Sequence, residues 1–154
     1  MLLKIEQEKN NTVLRKKCEP VKEITPEVSN LISQMKETLA AAENGVGLAA
    51  PQVGHNIRLF VVAPEMVKDG QTVFINPEIT QVSKKEITEE EGCLSLPGDW
   101  HELPRPEKVT IKAQDETGQK FKIRVKGLAA RLMLHEVDHL NGLLFVDHLK
   151  KKNK

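Results

Sequence analysis

His135 and His139 stand four residues apart in His135-Glu136-Val137-Asp138-His139, following Leu128-Ala129-Ala130-Arg131-Leu132-Met133-Leu134, a run that reads as helix. Four residues span about one helical turn, so both imidazoles leave one face and can hold a single transition-metal ion. A glutamate directly after the first histidine can reach water beside such an ion. That is the layout of a metal-dependent hydrolase. HExxH strings also arise on exposed helices, where they mean nothing, but the apolar residues here run nearly all the way round and predict a helix inside the protein. Each of the four polar side chains then needs a partner, because a buried polar group without one costs about 1–3 kcal/mol. One ion would serve three of them. Gly127 and Gly142 bracket the helix, the second as a left-handed stop.

A catalytic metal site has three protein ligands and an open position, whereas a structural site closes with a fourth side chain. The chain has two cysteines. Cys18, in RKKCEP, sits in no motif and is expected to be structural or incidental. Cys93 lies in Glu90-Glu91-Gly92-Cys93-Leu94-Ser95-Leu96-Pro97, which reads as a shaped loop, and is the inferred third ligand. With Cys93, His135 and His139 around an ion, Glu136 would act as general base and then general acid, and amide hydrolysis follows. A tetrahedral intermediate also needs donors aimed at its oxyanion. The backbone N–H of Leu94 and the side-chain amide of Gln52, in GVGLAAPQ at 45–52, are the two candidates. The other reading of 45–52 is a glycine hinge between a helix and a strand. Asp138 either orients a ligand histidine or pairs with Arg131, and pairing is the expectation.

The elements that must position these groups can be read from pattern. Thr25 followed by Pro26 starts a helix that runs to about Ala42 on Val28, Leu31, Ile32, Met35 and Leu39. Strands are predicted at 57–63, 72–75 and 79–88, and 108–114 pairs with 120–125 as a hairpin through Asp115-Glu116-Thr117-Gly118. The order predicts an α+β fold of short, mostly antiparallel strands packed around a buried C-terminal helix that carries HExxH. The 154 residues suit a single catalytic domain over 1–154, ending in a basic tail from about residue 150.

Basic and acidic residues number 23 and 22, so net charge points to no nucleic-acid partner, and no DNA is expected. No stretch approaches the length of a membrane span, so no membrane is expected either. The first nine residues, MLLKIEQEK, carry acids and no apolar run, unlike a secretory or transit signal, so the expected location is the cytoplasm.

GVGLAAPQ at 45–52, EGCLSLP at 91–97 and HEVDH at 135–139 together resemble the three signature motifs of peptide deformylase, in the same order and at similar separations. The likeness extends from Val13-Leu14-Arg15 and Pro20-Val21 to Leu144-Phe145-Val146-Asp147. It implies removal of the formyl group from N-formylmethionyl nascent peptides in protein biosynthesis, with Fe2+ that Zn2+, Ni2+ or Co2+ can replace. Carried over, Cys93, His135 and His139 are ligands, Glu136 the acid/base, and Gln52 and the Leu94 N–H the oxyanion donors. Gly47 would approach substrate with its backbone, and Val46 and Leu128 would help wall a methionine pocket. The sequence departs from the family's usual pattern at Leu134, Pro106, Trp100 and Glu89, which bears on substrate preference. The tail at 150–154 is a solvated end on this reading, with a transient ribosome contact as the alternative. Three other readings remain: an endopeptidase drawing a third ligand from Asp147 or His148, a binding module with a closed structural zinc, and a hydrolase of another acylated amine.

Overall fold

The protein is described by a computed structural model covering residues 2–68 and 70–152. Asn11 opens a short helix, α1 (Thr12–Arg15), by accepting from the Val13 and Leu14 amides. The longer α2 (Pro26–Ala41) starts as expected: the Thr25 hydroxyl accepts from Val28 N–H, and Pro26 fills a position where no amide is needed. Then follow β1 (Gly47–Ala49), a 3-10 turn (Ala50–Val53), β2 (Leu59–Val62), β3 (Val73–Val82), β4 (Glu86–Cys93) and β5 (Leu96–Pro106). The hairpin β6 (Lys108–Gln114) and β7 (Lys120–Lys126) leads into α3 (Leu128–Leu140), and α4 (Asp147–Lys152) comes last among the described residues.

Two antiparallel sheets result among the described residues. One has the order β1-β2-β3-β6-β7, and the other is the β4-β5 pair alone. Strand alternation divides the large sheet's side chains between two helices. Leu59, Val61 and Ile75 pack with Leu31, Ile32 and Met35 of α2, while Phe60, Phe74 and Ile111 pack with Ala130, Met133 and Leu140 of α3. Because both faces are covered, every residue of β2 is buried. A third cluster of Leu96, Leu103, Leu144, Phe145 and Val146 joins the small sheet to the segment after α3.

The α+β class and the antiparallel pairing agree with expectation, and several details differ. The segments 72–75 and 79–88 do not form two strands as predicted: β3 crosses both, with bulges between Ile75 and Glu78 and between Ile79 and Gln81, and the chain turns into β4 afterwards. The eleven-residue β5 was not anticipated, because Pro97, Pro104 and Pro106 break the strand pattern. A two-stranded sheet accommodates them, since prolines can sit where no ladder amide is required. The HEVDH helix is not the last one, as α4 follows it and takes in residues 150–152 of the expected tail. Asn153 and Lys154 lie outside the described residues.

Candidate active site and metal centre

α3 crosses the large sheet with Glu136 and His139 almost wholly buried and His135 nearly so. Its first residue is the exception to the buried-helix reading: Leu128 is 62% exposed and stands at the rim of a cleft. The far end stops at Gly142, whose φ of 76° and contact with the Arg15 carbonyl admit no side chain.

Cys93 arrives from the end of β4, where the turn Leu94-Ser95 leads back into β5. Ligating atoms of Cys93, His135 and His139 all lie within 4.8 Å of one another. The Cys93 sulfur is 3.3 Å from His139 Nε2, and the two imidazole rings are 5.0 Å apart at 70°. Burial opposes ionisation of Cys93, but the imidazoles of His139 and His135 outweigh it and hold the thiol well below its ordinary range. For His135, burial opposes the charged ring, and Cys93 and Glu91 more than offset it. A thiolate with two imidazoles suits a borderline divalent ion. Two buried polar atoms beside this group, Glu136 Oε1 and His139 Nδ1, have no hydrogen-bond partner among the described residues. The donor set and the unpartnered Glu136 oxygen fit a metal centre with a carboxylate next to it. Burial pushes the Glu136 carboxyl up to about 7 despite the neighbouring imidazoles.

The expected donors and walls gather at the same place. Gln52 sits in the 3-10 turn, where its Oε1 accepts from the Ala49 N–H at 2.9 Å. That bond turns Nε2 toward Ser95 Oγ at 3.1 Å and Cys93 Sγ at 3.6 Å. Val46, Gly47, Leu94 and Leu128 line a cleft of about 530 Å³ with His135 and Glu136, and Trp100 stands on its wall. Residues 47–49 form a strand rather than a hinge, and Gly47 is needed for the helix as much as for any substrate. A Cβ there would stand 2.6 Å from Leu132 Cδ1 and 2.7 Å from Glu136 Oε2.

Asp138 does not pair with Arg131, nor does it touch a ligand histidine. It accepts from Arg105 at 2.9 Å and lies 2.9 Å from His148 Nε2, because Arg131 is committed elsewhere. Arg131 and Arg105 both bind Glu91, at 2.9 Å and 2.7–3.1 Å. The second Glu91 oxygen lies 2.6 Å from His135 Nδ1. Burial works against the Glu91 charge, yet His135 and Arg105 hold its carboxyl far below the ordinary range. With Nδ1 engaged by Glu91, Nε2 is the His135 nitrogen left to face Cys93 and an ion. Sequence reading missed Glu91, Arg105 and Arg131 in this role. Only Arg131 carried a local signal, one helical turn before His135; Glu91 precedes Cys93 across a strand irregularity, and Arg105 comes from the partner strand.

The family profile described as polypeptide deformylase matches residues 2–154. A peptide deformylase of Clostridium botulinum is 50% identical over 142 residues, 92% of this chain and 93% of the relative. Among solved structures, a peptide deformylase from Legionella pneumophila superposes with a TM-score of 0.90 at 42% identity, covering 99% of this chain and 90% of the other. One from Synechococcus elongatus, in complex with actinonin, gives 0.88 at 40% identity, covering 95% and 78%.

Proposed function

The chain belongs to the polypeptide deformylase family, and on that basis we propose the part each residue of the cleft takes in the family's reaction. The enzyme hydrolyses the formamide at the start of newly made peptides, so that the formyl C–N bond breaks, formate leaves and the α-amine is freed. One observation carries the assignment to this cleft: a buried, unpartnered carboxylate, Glu136, stands beside a compact Cys93, His135 and His139 donor set.

Cys93, His135 and His139 hold the ion, which we assign as Fe2+ with Zn2+, Ni2+ or Co2+ as substitutes; it would polarise the formyl carbonyl and acidify water. Glu136 takes the proton of the attacking water and delivers it to the leaving nitrogen, and a carboxyl poised at about 7 can do both near neutral pH. Gln52 Nε2 and the Leu94 N–H donate to the developing oxyanion. Val46 and Leu128 wall the methionine side chain, and the Gly47 backbone lies along the peptide. The chain works as a single catalytic domain in the cytoplasm on N-formylmethionyl nascent peptides, without DNA.

The test is formate release from formyl-Met-Ala-Ser by anaerobically purified protein, beside Glu136→Ala, with bound metal quantified in both. Release by the parent alone at equal metal content is expected. Equal release by both forms would remove Glu136 from its role, and no release by a fully metallated parent would overturn the assignment of this cleft.

A further inference from the structure

β6 and β7 show the large sheet's α3 side and its opposite side in very different dress. Val109, Ile111, Ala113, Phe121, Ile123 and Val125 face α3, which puts the alternate residues on the other side. There Lys108, Lys112, Lys120, Lys122, Arg124 and Lys126 are all exposed. α2 covers only the β2 and β3 part of that side, through Leu59, Val61, Val73 and Ile75. The hairpin register sets Lys108 directly opposite Lys126 and Lys112 opposite Lys122, with Arg124 opposite Thr110 between them. Lys112 pairs with Glu78 at 3.3 Å, and among the described residues the other five cations have no ion-pair partner.

Like charges directly opposite on a sheet destabilise it. Lysines on an exposed edge strand guard against sheet-to-sheet aggregation, which would account for β7. It does not account for Lys108 and Lys112 on β6, a strand paired on both sides. In a chain with 23 basic and 22 acidic residues, this is a local concentration of one sign. Lys112, Lys120 and Lys122 also line a hollow of about 510 Å³ with Asn76 and Gln114.

We propose that the exposed face of the β6–β7 hairpin is a docking surface for the phosphodiester backbone of structured RNA. The cations answer a polyanion, and the hollow admits a projecting phosphate better than a flat bilayer surface would. The choice of RNA rests on the deformylase reading, since a nascent chain is presented on an RNA-rich particle. The surface shares no residue with the cleft.

The experiment measures fluorescence anisotropy of a labelled RNA hairpin between roughly 50 and 200 mM KCl. Four forms are compared: the parent, K112Q/K122Q/R124Q, a control K4Q/K17Q/K22Q, and a chain ending at residue 149. The hairpin triple variant is expected to bind at least about tenfold more weakly at low salt and to flatten the slope of log K against log salt by roughly 2–3. The control and the shortened chain should keep the parent's slope. Equal slopes for parent and hairpin variant, loss of binding on shortening alone, or binding to phosphatidylserine vesicles but not RNA would each overturn the proposal. Formate release from formyl-Met-Ala-Ser by the hairpin variant at the parent's rate shows that it folds. If the parent binds RNA through this face yet releases no formate, the docking surface stands and the assigned function fails.

Discussion

At the residue scale, the site depends on a carboxylate whose oxygens are taken up by other side chains of the protein. Glu91 ties His135 to Arg105 and Arg131 in a buried cluster, and such partners set both the tautomer and the aim of a ligand imidazole. Glu91→Gln is expected to weaken metal binding by about 10–100-fold in a chelator competition, with a smaller change in turnover per bound ion. Glu91→Ala should cost about 3–5 kcal/mol in urea unfolding, because the buried Arg131 guanidinium loses its counter-ion and Arg105 keeps only Asp138. Gly47→Ala should lower formate release while metal content holds, since the added methyl displaces the Glu136 carboxylate or Leu132. His135, Glu136 and His139 were legible because their relation is local to one helix. The pairing expected between Asp138 and Arg131 was not found, because what each residue binds comes from β4, β5 and α4, and no local spacing encodes those contacts.

At the scale of elements, the caps were legible and the small sheet was not. Thr25 bonds the Val28 amide as its place before Pro26 predicts, and Thr25→Ala is expected to cost about 1 kcal/mol in an equilibrium unfolding curve without changing turnover. β5 hides behind its prolines, and the β4–β5 ladder exists only because the turn at Leu94-Ser95 folds one strand back on the other. That same turn delivers Cys93 and Leu94 together to the cleft. Phe145, buried beside the His135 ring at 6.0 Å, fastens the segment after α3 to this sheet. Phe145→Ala should destabilise the protein by about 3–5 kcal/mol and loosen His135 with it, read as lower metal retention on gel filtration.

Across the whole molecule, the third proposed ligand could be inferred but not placed, because Cys93 and His135 lie 42 positions apart, across strands, turns and the first part of α3. Only the assembled sheets bring them within 4.8 Å. The two thiols accordingly live in different settings. Cys18 is 4% exposed and burial raises its pKa, whereas the imidazoles draw Cys93 toward thiolate. Iodoacetamide applied to chelated protein at neutral pH is therefore expected to label Cys93 and spare Cys18 until the fold is opened, as peptide mapping would show.

The place of α3 in chain order has a consequence for how the molecule is made. Every strand it covers is synthesised before it, so Phe60, Phe74 and Ile111 leave the synthesising machinery with nothing to pack against on that side. Cys93 likewise waits, a thiol without its two imidazoles. Burial of that face and assembly of the site thus fall at one moment late in translation, when a single thirteen-residue helix closes over the sheet. A nascent chain stalled before Gly127 is, on this topology, a sticky intermediate, and chaperone capture should cease once α3 has emerged.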